Sequence, residues 1–138
     1  MKINKVVVIG SGTMGSGIAA QLCNANIPVT LLDLKTEISQ KAKERIEKSR
    51  PPLLIDKSKI NGINVGNITD DFDLVSEADW IVEAVVERID IKHDIYEKIF
   101  NKRKKDSIVS SNTSSIPISV LSEKLSEDDK KDFCITHF

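Results

Sequence analysis

Cysteine is almost missing from this 138-residue chain: Cys23 and Cys134 stand far apart, and no Cys-x-x-Cys pair occurs. Neither a disulfide framework nor a cysteine metal knot therefore holds it together. Both thiols read as small buried hydrophobes, Cys23 on a helix face with Ala19 and Leu22, Cys134 in an apolar strand. Charge of one sign is missing too. Twenty basic and 21 acidic residues leave a net charge of −1, so no bulk field draws nucleic acid or an anionic membrane to the protein. No apolar run approaches the ~18 residues a bilayer crossing needs. The start, Met1 to Lys5, is too short and polar for a signal peptide, so the expected compartment is the cytoplasm. Repeats, low-complexity tracts and linkers are also lacking. What is present, 40% hydrophobic and 30% charged residues, is globular composition in a length that suits one domain over residues 1–138.

Lys5-Val6-Val7-Val8-Ile9 is a β-branched run apolar on both faces, as in a central strand of a parallel sheet covered on both sides. Thr13 to Ala25 follows as a helix with Ile18, Ala19, Leu22 and Ala25 on one side, stopped by Asn26 and Pro28. Val29–Asp33 is the second strand. Ile38, Ala42 and Ile46 mark a charged helix that ends before Pro51-Pro52. Residues 51–67 are the least regular stretch, with Ile63-Asn64-Val65 as a short third strand. Asp79–Val85 is the fourth strand, Ile91, Ile95 and Ile99 mark the next helix, and Ser107–Ser110 is the fifth strand. A short helix over Ile118–Leu125 and a sixth strand over Phe133–Thr136 complete the pattern. Strands alternating with helices, joined by right-handed crossovers, predict an α/β Rossmann fold. Its doubly wound parallel sheet has the order 3-2-1-4-5-6 with helices on both faces. The ligand crevice of such a sheet lies where the winding reverses, beyond strands 1 and 4.

Gly10-Ser11-Gly12-Thr13-Met14-Gly15 fits G-x-G-x-x-G in the context its mechanism demands, after a buried strand and at the opening of a helix. Gly10 permits the tight turn, Gly12 lets the backbone approach a pyrophosphate, and Gly15 allows close packing of helix on strand. The free amides and dipole of the first helical turn then hold the phosphates. Asp33 ends the second strand 18 positions after Gly15, where a carboxylate accepts hydrogen bonds from both adenosine ribose hydroxyls and repels a 2′-phosphate. The expected cofactor is therefore NAD rather than NADP.

Other conspicuous residues read plainly. Lys102-Arg103-Lys104-Lys105 complements a helix dipole, His93 lies solvated on a charged face, and Trp80 packs rather than stacking on adenine. Glu83, in an otherwise apolar strand, either faces the crevice or merely ends the strand. The hydroxyl-rich run after the fifth strand offers more polar groups than a capping turn uses.

Several motifs in order resemble the cofactor half of the L-3-hydroxyacyl-CoA dehydrogenases. They are Gly10-x-Gly12-x-Met14-Gly15-x-Gly17-Ile18-Ala19, Glu83-Ala84-Val85-Val86-Glu87, Lys92, Ser111-Asn112-Thr113-Ser114-Ser115 and His137-Phe138. The resemblance implies hydride transfer from C3 of an L-3-hydroxyacyl-CoA to NAD⁺ in fatty-acid β-oxidation. His137 would then be the general base and Ser114 a hydrogen-bond donor to the substrate oxygen. Glu87 and Lys92, in the loop after strand four, would lie along the nicotinamide ribose. In the family, further chain supplies a glutamate that orients the histidine and an all-helical domain that builds the acyl-CoA cleft. The expectation is that this helical domain is absent here and that the 138-residue chain alone is weak or inactive. Its partners would be an acyl-CoA and either a second copy or a separately encoded C-terminal half, with no metal, nucleic acid or membrane. The alternative is a regulatory NAD(H)-sensing module without catalysis, which needs neither the hydroxyl run nor the histidine.

Overall fold

The computed structural model describes residues 1–138. Strand β1 (Val6–Ile9) lies fully buried at the centre, and its alternating side chains enter two different cores. Val6 and Val8 face Ile18, Ala19, Leu22 and Cys23 of α1 (Thr13–Asn24) and Ala42 and Ile46 of α2 (Thr36–Lys48). Val7 and Ile9 face the other way, onto Ile95, Tyr96 and Ile99 of α3 (Ile89–Lys102) and Leu121 of α4 (Ile118–Leu121). Side chains of a strand alternate between faces, so a continuous apolar run requires this double cover. Each such side chain stabilises the fold by roughly 1.5–3 kcal/mol when fully buried.

The remaining strands are β2 (Val29–Asp33), β3 (Ile63–Asn67), β4 (Trp80–Glu83), β5 (Ile108–Ser111) and β6 (Phe133–Ile135). All pair in parallel, in the order β3-β2-β1-β4-β5-β6. The register sets Ile9 opposite Leu32 on one side and Glu83 on the other. The carboxyl ends of β1, β2 and β4 thus finish level, at the point where the strand order reverses.

Departures from the expected boundaries have local causes. β4 stops at Glu83 instead of running to Val85, because the Val85 N–H turns back to the Glu83 carboxylate at 2.9 Å. β3 is longer than expected and reaches Asn67 opposite Asp33. Helix α5 (Glu127–Lys130) was not anticipated, although Ser126 caps it by accepting from the Asp129 N–H at 3.1 Å, a readable Ser-x-x-Asp signal. Ala25 falls at the C-cap of α1 and is exposed, and the chain turns at Asn26 with φ +62°.

The plain readings of two charged features are corrected. His93 is buried, not solvated, and its Nε2 lies 2.8 Å from the Val120 carbonyl, because the α4 segment folds over that side of α3. The basic cluster does more than meet a helix dipole. Lys102 pairs with Asp73, Arg103 with Asp132 at 2.8 Å and Asp129 at 3.4 Å, and Lys104 with Asp79. Trp80 does pack: its Nε1 donates to Ser110 Oγ at 2.8 Å, and its ring sits 6.3 Å from that of Phe138. Both cysteines are free, Cys23 buried and Cys134 only half-buried. No helix is long and apolar enough to cross a membrane.

Candidate cofactor site

The loop between β1 and α1 is shaped by what its glycines must avoid. Gly10 holds φ +104°, and a Cβ there would lie 2.4 Å from the Ala84 carbonyl oxygen. At Gly15 a Cβ would lie 1.8 Å from the Gly10 carbonyl oxygen, so the first turn of α1 rests directly on the end of β1. Gly12 differs, since a Cβ there would meet nothing within 4 Å. It is the N-cap of α1, and no side chain caps that end. The first-turn amides, with the positive end of the helix dipole, therefore face open space that a phosphate fits.

That space is a cleft of about 590 Å³. Its floor is the loop from Gly10 to Met14 together with Ala84, Val85 and Val86, and Asp33, Leu34, Ile38 and Arg45 form one wall. Asp33 is tied to the loop: Oδ2 accepts the Ser11 N–H at 2.8 Å and the Ser11 hydroxyl, and Oδ1 accepts the Leu34 N–H at 2.7 Å. Arg45, which sequence reading missed, donates from Nη2 to the Ser11 carbonyl at 3.1 Å, so Ser11 is held from both sides. Only the helical repeat of α2 brings Arg45 here, one position before the buried Ile46.

Across the cleft a second polar cluster joins β4, α3 and β5. Glu83 is fully buried at the end of β4 and accepts from four donors. Oε2 takes Lys92 Nζ at 2.7 Å and the Val85 N–H, while Oε1 takes Ser111 Oγ at 2.7 Å and the Tyr96 hydroxyl. Lys92 also pairs with Glu87 at 3.0 Å, and Glu87 Oε2 accepts from Thr113 Oγ1 at 2.7 Å and Ser115 Oγ at 3.0 Å. Burial opposes ionisation of Glu87, but the bonds from Thr113, Lys92 and Ser115 outweigh it and hold the carboxyl below its usual range. Burial first, then the neighbouring Glu83 charge, push the Tyr96 phenol far above its usual range, so it stays a donor.

The structure therefore brings Glu87, Lys92 and the hydroxyls of Thr113 and Ser115 together, with one correction. Lys92 is not in the loop after β4; it lies inside α3, its side chain 1% exposed between two carboxylates. Glu87, 40% exposed, is the member of the ion pair that meets solvent. The hub residue Glu83 was left undecided by sequence, and Tyr96 was missed. The signal was present, because Lys92 and Tyr96 stand four apart and share one helix face. Ser114 and His137 are both exposed, beyond the carboxyl ends of the paired strands β5 and β6. His137 Nδ1 lies 3.3 Å from the Asn112 carbonyl oxygen. No group of three or more His, Cys, Asp or Glu is placed to hold a metal ion.

Residues 5–138 match the family model described as "3-hydroxyacyl-CoA dehydrogenase, NAD binding domain". A Deinococcus radiodurans protein named "Probable 3-hydroxyacyl-CoA dehydrogenase" is 43% identical over 100% of this chain, which covers 42% of that protein. Among solved structures, FadB2 of M. tuberculosis superposes with a TM-score of 0.86 at 27% identity over 100% of this chain and 50% of its own. The dehydrogenase part of multifunctional enzyme 1 from C. elegans does so with a TM-score of 0.83 at 29% identity, over 100% of this chain and 32% of its own. The chain thus spans half or less of the length of these relatives.

Proposed function

This chain belongs to the 3-hydroxyacyl-CoA dehydrogenase NAD-binding-domain family, and from that premise we propose that its cleft holds NAD(H) as the cofactor half of an enzyme interconverting L-3-hydroxyacyl-CoA and 3-ketoacyl-CoA in fatty-acid oxidation. The carrying observation is the open ground over Gly12 beneath uncapped amides of α1, with the Asp33 carboxylate beside it. A pyrophosphate fits the first and an adenosine ribose the second. Gly10, Ser11, Gly12, Thr13, Met14 and Gly15 make the phosphate loop in this reading. Glu87, held by the buried Lys92, serves the nicotinamide-ribose end in this reading.

Bound NAD⁺ supplies the hydride acceptor. On the proposed reading, His137 takes the hydroxyl proton of the substrate, a task suited to an imidazole, whose ring nitrogen can accept and release a proton. Ser114 donates a hydrogen bond to the substrate oxygen. The exposed ring of His137 meets only a backbone carbonyl, at 3.3 Å, which favours the Nδ1–H tautomer but supplies no negative charge to stabilise an imidazolium. Loss of an orienting carboxylate in a hydrolase triad costs ~10⁴ in turnover. We therefore expect the 138-residue polypeptide by itself to bind NADH yet turn over acyl-CoA slowly. An acidic partner for the histidine and the acyl-CoA cleft would come from chain beyond these residues, from a separately encoded half or from a second copy. Exposed Ile118 and Phe138 offer apolar surface for such docking.

Calorimetric titration with NADH, followed by an NADH-oxidation assay with acetoacetyl-CoA, tests both parts. Saturable NADH binding with little turnover is the expected result. No heat from NAD⁺ or NADH at millimolar concentration would sink the cofactor reading, and brisk oxidation would sink the reading of a weak isolated chain. Binding of nucleotide with no acyl-CoA response in any assembly would favour a sensing module.

A further inference from the structure

We infer that Glu83 is a positioning residue for the nicotinamide half of the cleft, a buried carboxylate that touches no ligand but fixes the groups that do. The inference rests on the cofactor reading above and adds a residue to it. Three elements end at this carboxylate: β4 carries Glu83, α3 carries Lys92 and Tyr96, and β5 carries Ser111. Two of its bonds lead straight to the cleft. The Val85 N–H, 2.9 Å from Oε2, belongs to a residue of the cleft floor. Lys92 Nζ, 2.7 Å from the same oxygen, also holds Glu87, which in turn orients the hydroxyls of Thr113 and Ser115.

A buried ion pair is poor evidence of a stability device, because desolvation consumes most of the Coulombic gain. Its effect is directional: four donors converging on two oxygens leave the carboxylate one orientation. No buried side-chain polar atom lacks a partner, so the cluster is a closed network rather than a strained remnant. With Glu83 in place, the Lys92 ammonium has one position, and Glu87, next in the chain to the Val86 that lines the cleft, is held from a fixed side.

Glu83→Gln probes this cleanly. Its amide nitrogen can donate to the hydroxyls of Tyr96 and Ser111, which are able to accept, while its carbonyl still meets Lys92 and Val85. Shape is kept and charge is lost. Calorimetry on the full 138-residue chain compares NADH with ADP, which carries the adenosine and pyrophosphate but no nicotinamide half. We expect Glu83→Gln to weaken NADH by about tenfold, the scale of one lost charge-assisted hydrogen bond. ADP affinity should hold within about twofold. Unchanged NADH affinity, or equal losses for both ligands, overturns the inference, the second because general loosening would then explain it. A wild-type chain that binds neither ligand overturns the cofactor reading itself, and this inference with it. Should Glu83→Gln fail to unfold cooperatively in urea, Tyr96→Phe decides by the same comparison. It removes one hydroxyl from Oε1, and an NADH-only loss of about threefold is expected.

Discussion

The Asp33 carboxylate grips Ser11 twice, through the backbone N–H at 2.8 Å and through the hydroxyl, so the acid at the end of β2 braces the loop at the end of β1. With the Leu34 N–H on its other oxygen, three donors already occupy a group with about four acceptor sites. A ribose hydroxyl finds one site free and gains a second when the Ser11 hydroxyl turns away. On the proposed reading the same carboxylate both braces the glycine loop and receives the sugar.

Replacing Asp33 should therefore cost twice. Asp33→Ala is expected to weaken NADH by at least tenfold, since a hydrogen bond to a charged group contributes about 1.5–3 kcal/mol. It should narrow the gap between NADH and NADPH as well, because the charge that repels a 2′-phosphate is gone. Parallel titrations with the two cofactors measure both effects. An unchanged NADH affinity would remove Asp33 from the site.

Two glycines of the loop, Gly12 and Gly15, should separate stability from binding. Gly15→Ala places a Cβ against the Gly10 backbone carbonyl, where nothing flexible can give. We expect a loss of about 3 kcal/mol or more in urea unfolding, the upper range for overpacking. Gly12→Ala meets no protein atom. It should cost less than about 1 kcal/mol as an N-cap change, yet abolish most NADH binding by filling the ground over the first helical turn. Equal behaviour of the two variants would contradict this division.

Acid should weaken the fold through two carboxyls held below their usual values. The Lys104 hydrogen bond, with the Asn4 and Lys5 N–H groups, depresses Asp79. Burial opposes the bonds from Thr113, Lys92 and Ser115 at Glu87, and the net effect there is also downward. A depressed carboxyl contributes stability above its unfolded value of about 4 and loses it as pH falls through the lower folded value. Urea midpoints should therefore hold from pH 7 to about 5 and fall below pH 4. Asp79→Asn should flatten part of that fall, and an unchanged slope would clear Asp79 of the role.

The two thiols should differ in access more than in acidity. Burial raises the Cys23 thiol to about 11 and shifts Cys134 upward as well. Cys23 is enclosed against Gly62, the last residue of a 3₁₀ turn over Lys57–Gly62, whereas Cys134 is half-buried in β6. A chromogenic disulfide reagent at pH 8 should modify Cys134 slowly and Cys23 only on unfolding. Rapid titration of both thiols in the folded protein would contradict that order.

The local signals were strong where each residue answers to its neighbours in the chain. The run Val6–Ile9, the loop Gly10–Gly15 and Asp33 were legible because periodicity and spacing carry them. His93, by contrast, looked solvated beside Asp94, and only the fold of α4 across α3 buries it against the Val120 carbonyl. Glu83 was ambiguous for a similar reason. A carboxylate at a strand end is read by what surrounds it, and its side-chain partners lie nine, thirteen and 28 positions away. Lys92 was placed in a loop only through the resemblance, although the spacing of Ile91, Ile95 and Ile99 already put position 92 on the helix.

By itself the sequence determined the sheet order, the glycine loop and the acid that braces it, since these follow from hydrophobic period, glycine placement and the handedness of crossovers. Tertiary structure alone decided which charges are enclosed and which meet solvent. That Arg45 reaches Ser11, that Lys92 is shut between Glu83 and Glu87, and that Arg103 finds Asp132 all depend on long side chains meeting across elements. Burial, not residue type, sets the strength of a charge, and burial exists only once the chain has packed.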